Sequence, residues 1–287
     1  MSILSVNHIA GRNGRITVTD RINFTQSKGL VLPKWTSSTR PANPELGYTG
    51  FNTEQDVWEI FNGGQWEAID GNYGASLPPV TSGLTVFMTG DSWNAGSNSW
   101  EDLSGNGNNS SGTSGTINNP THTGGSGANG TFKYISGNTG AGVAITNGWN
   151  NGNDYTFFHI TRYTGGTRGR IWQGKSSNWL SGHWSNGSGR YYHQGWMSSS
   201  STNYHQDNWF ITMDQRSLVR TNRGANTFTG GGNYSPNGVG INAQASGSCC
   251  SGETSDWATA VIAVYNRALS QSEYQQVEDF LYNNWMA

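Results

Sequence analysis

Short apolar runs, separated by clusters of Gly, Asn and Ser, are the feature that most constrains how this chain can fold. From residue 84 onward these runs read LTVFMTG, GTFKYIS, DYTFFHITRY, GRIWQG, NWFITMDQ, LVRTNR, GVGI and WATAVIAVYN. Runs of this length, rich in β-branched and aromatic residues, predict short strands joined by turns. The 13 Trp residues offer large apolar areas for burial in a chain with only 12% charged residues. We therefore predict an all-β fold, an antiparallel β-sandwich (jelly roll).

One helix is predicted, at the C-terminal end. Ser270 and Glu273 have the spacing of a capping box. The apolar residues that follow lie on one helical face: Tyr274, Val277, Phe280 and Leu281.

A different pattern precedes the sandwich. Pro41 and Pro44 predict a rigid bend that ends at Gly47. YTGFNTEQDVWEIF then predicts two short strands, and NGG at residues 62–64 predicts a hairpin turn with Trp58 and Trp66 facing each other across it. About forty residues of hairpins bury too little surface to be stable alone, so this segment needs a partner.

The chain thus divides into four predicted parts. Residues 1–30 are an extended N-terminal arm that adds strands to a neighbour, or alternatively a disordered tail. Residues 31–72 form a small β-hairpin module for attachment or trimerisation, residues 73–83 form a linker, and residues 84–287 form the jelly roll.

Composition excludes several partners. A net charge of −2 gives no basic surface for nucleic acid. No apolar run is long enough for membrane insertion, and the first residues lack the apolar stretch of a signal peptide.

Cys249 and Cys250 are adjacent, so we interpret them as two thiols, with a strained vicinal disulfide as the alternative.

Catalytic patterns are not found, and we predict a protein that is not an enzyme. Glycoside hydrolysis requires two carboxyl groups at a set separation, which strand alternation places on one face. Glu253 and Asp256 are three residues apart and would point to opposite faces, which favours turn capping, with calcium ligation as the alternative.

We expect no cofactor. Asp91 and Asp102 are candidate calcium ligands, although Asx turns explain the sequence DLSGNGN at residues 102–108 equally well.

Aromatic residues concentrate between residues 178 and 196, where Ser, Asn and Gly separate them. Aromatic rings stack on the C–H faces of sugars, and neighbouring polar side chains pair with sugar hydroxyls. The alternative is a sandwich core, since alternation sends about half of the side chains inward. The candidate glycan-binding residues are Trp179, His183, Trp184, Tyr191, His193 and Trp196.

Two resemblances add to these predictions. Residues 32–69, with the bend RPANPELG, the strand start FNT, the pair WE and the sequence GGQW, resemble a module of tailed-phage fibre and virion appendage proteins. That resemblance implies a homotrimer, with Pro41, Pro44, Phe51, Trp58 and Trp66 in the assembly module.

The region from about residue 84 to residue 285, chiefly DLSGNGN and VIAVYNRALSQSE, is similar to concanavalin A-like jelly rolls of the laminin-G-like type. Members of that family bind glycans or proteins, some through calcium, and a related branch hydrolyses β-glucans.

Together these features predict a phage virion structural protein, assembled in the host cytoplasm, which decorates the capsid or forms a short appendage. Its expected partners are itself, other virion proteins of the capsid, neck or tail, and host-surface glycans. The alternatives are a tail-fibre receptor-binding protein, a glycan-degrading enzyme of the concanavalin-like class, and an architectural protein that binds no sugar.

Overall fold

The structure is a computed structural model that describes residues 33–54, 57–68, 77–149, 154–175, 177–205, 207–230, 234–244 and 252–287. The chain divides into two compact units, a small unit (Met1–Tyr73) and a large unit (Gly74–Ala287). The predicted N-terminal arm and the two cysteines lie outside the described residues. Within the described residues, no helix has the length and apolarity needed to cross a bilayer.

The small unit contains one four-stranded sheet, in the order β1-β2-β3-β4. Its strands are β1 (Lys34–Trp35), β2 (Thr49–Asn52), β3 (Val57–Phe61) and β4 (Trp66–Ala68). β1 pairs with β2 in parallel, and the other pairs are antiparallel. The predicted bend and hairpin turn are both present: Gly47 has a φ of 84°, and the Asn62 Oδ1 accepts hydrogen bonds from the amides of Gly64 and Gln65.

A buried carboxylate organises this sheet. Glu59 accepts hydrogen bonds from the Trp35 indole (2.8 Å), the Asn52 amide (3.0 Å) and the Arg40 guanidinium. Burial alone raises the pKa of Glu59, but these three donors outweigh it and lower the pKa to about 2. The carboxylate therefore stays ionised and ties β1, β2, β3 and the proline bend together.

The predicted contact between Trp58 and Trp66 is wrong. Trp66 stands opposite Phe61, which is three residues from Trp58, and an odd separation along a strand sends two side chains to opposite faces. Trp58 instead contacts Phe51, with ring centroids 5.3 Å apart, and Trp66 packs on Trp35 at 4.9 Å. Each face of this small sheet thus has its own aromatic pair.

The large unit is built from two main antiparallel sheets. The seven-stranded sheet contains β5 (Leu84–Thr89), β11 (Ile135–Gly137), β13 (Thr156–Arg168), β17 (Phe210–Gln215), β18 (Leu218–Thr221), β19 (Asn226–Thr229) and β21 (Ser255–Tyr265). The six-stranded sheet contains β8 (Gly112–Ser114), β12 (Gly142–Ile145), β14 (Trp172–Gly174), β15 (Trp179–Trp184), β16 (Gly187–His193) and β20 (Val239–Gly240). Two short hairpins complete it: β6 (Trp93–Asn94) with β7 (Ser99–Trp100), and β9 (Thr121–Gly125) with β10 (Ala128–Lys133).

The two sheets enclose a core, which confirms the predicted all-β sandwich. Val86 and Phe157 from the seven-stranded sheet cluster with Val143, Trp172 and Trp179 from the six-stranded sheet, all of them buried. Each of the eight apolar runs singled out in the sequence contains or overlaps a strand of this unit.

The opposite face of the seven-stranded sheet is also apolar and carries α1 (Gln271–Leu281). Tyr274, Val277 and Leu281 of α1 are buried in one cluster with Phe158 and Ile211. The predicted capping box is confirmed: the Ser270 side chain accepts from the Glu273 amide, and the Glu273 side chain accepts in return from the Ser270 amide. Together with the β9–β10 hairpin, which adds Ala128 and Phe132 to the same cluster, α1 shields this face of the sheet from water.

A bulge in β21 shifts, by one residue, the alternation that directs its side chains to the two cores in turn. The register of β21 against β13 shifts between Ile160 and Thr161. As a consequence, the sequence neighbours Ala260 and Val261 both lie in the core that α1 covers. Beyond the bulge Ile262 and Val264 point into the core between the sheets. One extra residue thus resets the alternation of the strand.

Candidate functional site

The candidate site is a cluster of three aromatic side chains on the outer surface of the β15–β16 hairpin. Trp184 and Trp196 have ring centroids 5.1 Å apart, and Tyr192 lies 5.2 Å from Trp196 in an edge arrangement. Trp196 is 38% exposed, while Trp184 and Tyr192 are partly exposed. We call Trp184, Tyr192 and Trp196 the aromatic platform.

Local backbone geometry places these rings together. Ser185 and Asn186, between the two strands, have φ of 46° and 64°, the left-handed pair of a type I′ turn, so Trp184 stands opposite Gly187. After β16 the chain reverses: the Met197 amide donates to the Tyr191 carbonyl (3.0 Å), and Trp196 forms a bridge with Tyr192. This reversal brings Trp196 back over the hairpin.

Charged groups hold Trp184 in place from two sides. Its indole donates to Glu253 Oε1 (2.7 Å), and Glu253 also forms an ion pair with Arg170. Arg190 donates to the carbonyls of Trp184 (2.9 Å) and Ser185 (3.1 Å), and its guanidinium lies 5.7 Å from the Trp184 ring centroid. Arg190 thus fixes the hairpin turn and stacks on the ring.

The ion pair between Arg170 and Glu253 combines opposite charges at one edge of the platform, while Arg190 adds a cation beside Trp184. Burial lowers the pKa of Arg170, and the neighbouring Glu253 opposes that shift. The Arg170 Nη1 also donates to the Asn178 side chain (2.9 Å). A planar aromatic surface bordered by such fixed polar groups can stack on an apolar ligand face and accept or donate hydrogen bonds at its rim.

Four of the six predicted glycan-binding residues do not reach this surface. Trp179, His183, Tyr191 and His193 are completely buried, so their assignment to a ligand face is wrong. They occupy alternate positions on β15 and β16 that point between the two sheets. The core interpretation therefore holds for them, and only Trp184 and Trp196 of the predicted set remain at the surface.

These four residues belong to a polar part of the sandwich interior. The Trp179 indole donates to the Tyr155 hydroxyl (3.0 Å), and that hydroxyl donates to Asp214 (2.8 Å). His193 lies 3.2 Å from Asp214 through its Nε2 and stacks on Trp179, with ring centroids 5.5 Å apart. The chain of contacts buries a carboxylate with its hydrogen-bond partners, as buried charges require.

His159 and His183 lie buried in the same interior. His159 contacts the Thr161 and Ser181 hydroxyls at 3.0 and 3.1 Å, and burial lowers its pKa to about 3. His183 lies between Tyr163 (4.7 Å) and Phe210 (4.8 Å), and neither ring nitrogen has a partner among the described residues. Burial lowers the pKa of His183 far below its usual value, with smaller contributions from His159 and His205.

The calcium candidates differ in their surroundings. Asp102 accepts four hydrogen bonds, from the amides of Phe87, Ser104 and Asn108 and from the Ser104 hydroxyl, at 2.8–2.9 Å. A carboxylate offers about four acceptor positions, so these donors occupy them and favour the Asx-turn interpretation. Asp91 is exposed in a short 3-10 turn. No cluster of three or more metal-ligating side chains occurs among the residues that the structure describes.

The predicted assembly residues lie in the small unit. Pro41 and Pro44 are in the bend, and Phe51, Trp58 and Trp66 are partly buried on the sheet. Two exposed apolar residues flank Gly47 at the end of the bend: Leu46 is 77% exposed and Tyr48 is 45% exposed, and the Tyr48 ring centroid lies 6.4 Å from that of Trp66. No sequence prediction included this pair, although two apolar residues at the end of a proline bend were the available signal.

Comparison with known proteins leaves the family unassigned. No protein-family model and no curated protein matches the sequence. Among solved structures, the chain is similar to domain 4 of AbnA, an extracellular arabinanase from Geobacillus stearothermophilus, at 16% identity and a TM-score of 0.46, covering 69% of this chain and 97% of that one. It is also similar to the binding domain of Paraclostridial Mosquitocidal Protein 1 (14%, TM-score 0.42, 70% and 53%) and to Trypanosoma rangeli sialidase (13%, TM-score 0.47, 84% and 45%). The chain thus spans about half the length of these last two proteins.

Proposed function

We propose that this protein is a non-enzymatic virion component of a tailed phage whose large unit binds glycans through the aromatic platform. The observation that carries the glycan-binding proposal is the platform itself. Trp184, Tyr192 and Trp196 contact one another outside the core, and Trp184 is fixed by Glu253 and Arg190. Rings held in this way lose little side-chain freedom when a ligand stacks on them.

A shallow platform of this kind binds weakly at each site. Stacking on an aromatic ring contributes roughly 0.5–1.5 kcal/mol beyond the area buried, so a single site gives millimolar affinity, about 4 kcal/mol. Several copies on one assembly raise the apparent affinity through effective concentration, without new contacts. Weak sites are therefore consistent with firm adhesion by an oligomer.

The virion role is supported by the small unit. Its sheet of four short strands has an exposed apolar pair, Leu46 and Tyr48, beside the aromatic cluster around Trp66. Large apolar side chains at such exposure are typical of surfaces that meet another protein. We propose that identical small units meet there in a homotrimer, and that the trimer attaches to the capsid, neck or tail.

The contacts of the two acidic candidates support a non-catalytic role. Glu253 accepts from the Trp184 indole and pairs with Arg170, and these two contacts fix the orientation of its carboxylate. Asp256 accepts from the Thr167 amide (3.0 Å) through Oδ2. Retaining and inverting glycosidases need one of their two carboxyl groups protonated as an acid. In Glu253, Oε1 is occupied by the Trp184 indole and Oε2 by Arg170, so neither oxygen is directed at a glycosidic bond.

A glycan array tests the proposed binding. The wild type should bind a subset of the glycans, and the double variant Trp184→Ala/Trp196→Ala should lose that binding. Tyr204→Ala is the matched control, because Tyr204 is an exposed aromatic (47%) stacked on Phe228 outside the platform. If no glycan binds the wild type, the architectural alternative replaces the proposal. Release of reducing ends from host polysaccharide, abolished by Glu253→Gln, would instead establish an enzyme.

Mass measurement in solution tests the assembly. The wild type should be a trimer at micromolar concentration, and Leu46→Ser/Tyr48→Ser should be a monomer with an unchanged large unit. A wild-type monomer at that concentration would contradict the proposed homotrimer without affecting the glycan-binding proposal.

A further inference from the structure

A polar cleft lies at one end of the seven-stranded sheet, and its described lining residues do not include those of the aromatic platform. Its volume is about 250 Å³, and its lining comes from the short segment before β9, from β11, from the far end of β13 and from the start of β21. The lining residues are Asn118, Ser136, Gly137, Asn138, Thr164, Gly165 and Asp256. Its size lies just below the range of drug-sized pockets, roughly 300–1,000 Å³, and suits a ligand of one sugar ring.

A bulge in β13 forms one wall of this cleft. The pairing of β13 with β21 is interrupted between Tyr163 and Arg168, so the residues between them leave the sheet. The Thr167 amide then donates to Asp256 Oδ2 (3.0 Å), and a Cβ on Gly165 would lie only 2.4 Å from the same oxygen. Glycine at position 165 therefore permits the close approach that fixes the carboxylate. Bulges often redirect side chains in this way next to functional sites.

The cleft offers unused hydrogen-bonding groups. The side chains of Asn118, Ser136 and Thr164 are at least partly exposed and make no hydrogen bond to another described residue. Asp256 uses Oδ2 for the Thr167 amide, which leaves Oδ1 as an acceptor. Hydroxyl, amide and carboxylate groups converge here from four separate chain segments. This set matches a ligand with several hydroxyls, each of which both donates and accepts.

The charge of the lining narrows the ligand class. Among the described lining residues, Asp256 is the one charged side chain, and none of them is a cation that could pair with an anionic group. These described residues also include no aromatic ring for stacking. We infer that this cleft is a second ligand site, which binds one neutral sugar residue through hydrogen bonds, independently of the aromatic platform.

Two-dimensional NMR of the full chain tests this inference. D-glucose, D-galactose, D-mannose and N-acetyl-D-glucosamine are titrated separately up to about 50 mM, beyond the millimolar dissociation constant of a weak site. At least one sugar should give saturable shifts at the amides of the cleft residues. D-glucuronate should give none, since its carboxylate would face Asp256.

Variants separate this site from the platform. Thr164→Val removes one hydroxyl, and Asp256→Asn retains an acceptor for the Thr167 amide; together they should weaken binding at least tenfold. Thr123→Val, on an exposed threonine of β9, is the matched control. Trp184→Ala/Trp196→Ala should leave these shifts unchanged. The inference is overturned if no neutral sugar shifts the cleft amides, if glucuronate binds there instead, or if only the platform variant removes the shifts.

Discussion

Acidification from pH 7 to pH 5 should destabilise the large unit, because its interior holds histidines that cannot ionise in place. The pKa of His159 is about 3 in the folded protein and 6.5 as the ordinary value. A group whose folded pKa is depressed contributes stability above its unfolded pKa, and this contribution is lost as the pH falls. For His159 alone, the loss between pH 7 and pH 5 is about 2 kcal/mol. His183 adds a loss of the same sign.

Two carboxyl groups with strongly lowered pKa values contribute to the free energy of unfolding in a different, more acidic pH range. The pKa values of Glu59 and Glu273 are both lowered to about 2 from 4.5. Their contributions are present above pH 4.5 and are lost only as the pH falls towards 2. Glu59 and Glu273 therefore contribute little to the change between pH 7 and pH 5, where the loss from His159 and His183 is expected.

The measurement is urea unfolding at pH 7, 6 and 5, followed by tryptophan fluorescence, on the wild type and on His183→Phe. The variant removes a buried ring with no partner for either nitrogen among the described residues, between Tyr163 and Phe210. It should gain about 1–3 kcal/mol at pH 7 and lose less than the wild type at pH 5. Equal stability of the wild type at pH 7 and pH 5, or a variant less stable than the wild type at pH 7, would refute the reasoning.

Three further substitutions test the packing of the two units. Glu59→Gln should destabilise the small unit by about 3 kcal/mol, because it removes the buried carboxylate that pairs with Arg40. Hydrogen exchange over residues 33–68 should become faster, and unchanged exchange would contradict the role of Glu59. Gly182→Ala should lower the free energy of unfolding by about 1–3 kcal/mol, since the φ of Gly182 is +85° and the new Cβ would lie 2.9 Å from His159. In the control Gly166→Ala the new Cβ meets no atom within 4 Å, so the free energy of unfolding should change by less than about 0.5 kcal/mol. Ser270→Ala should cost about 1 kcal/mol through loss of the α1 cap, and an unchanged melting temperature would argue against that capping role.

The elements with local signals could be predicted from the sequence. The capping box of α1, the Asn62 turn and the apolar runs of the seven-stranded sheet each depend on neighbouring residues, and the structure has all of them. The bulge in β21 could not be predicted, because it depends on how β13 pairs with that strand.

The candidate site could be predicted only in part, because both faces of the β15–β16 hairpin carry large aromatic side chains. Its inward positions include Trp179 and Tyr191 beside two histidines, while its outward positions include Trp184 and Tyr192. Alternation divides these residues correctly into two sets, but composition does not show which set is buried. The contact of Trp184 with Glu253, 69 residues away, has no sequence signal.

The most direct test of the proposed glycan binding is a two-dimensional spectrum of the tryptophan indole groups, recorded with and without a glycan that binds on the array. Trp184→Ala and Trp196→Ala assign the two platform signals among those of the 13 Trp residues. Saturating glycan should shift both platform indoles and leave those of the buried Trp172 and Trp179 in place. Binding that moves neither platform indole would contradict the proposal that this surface holds the sugar.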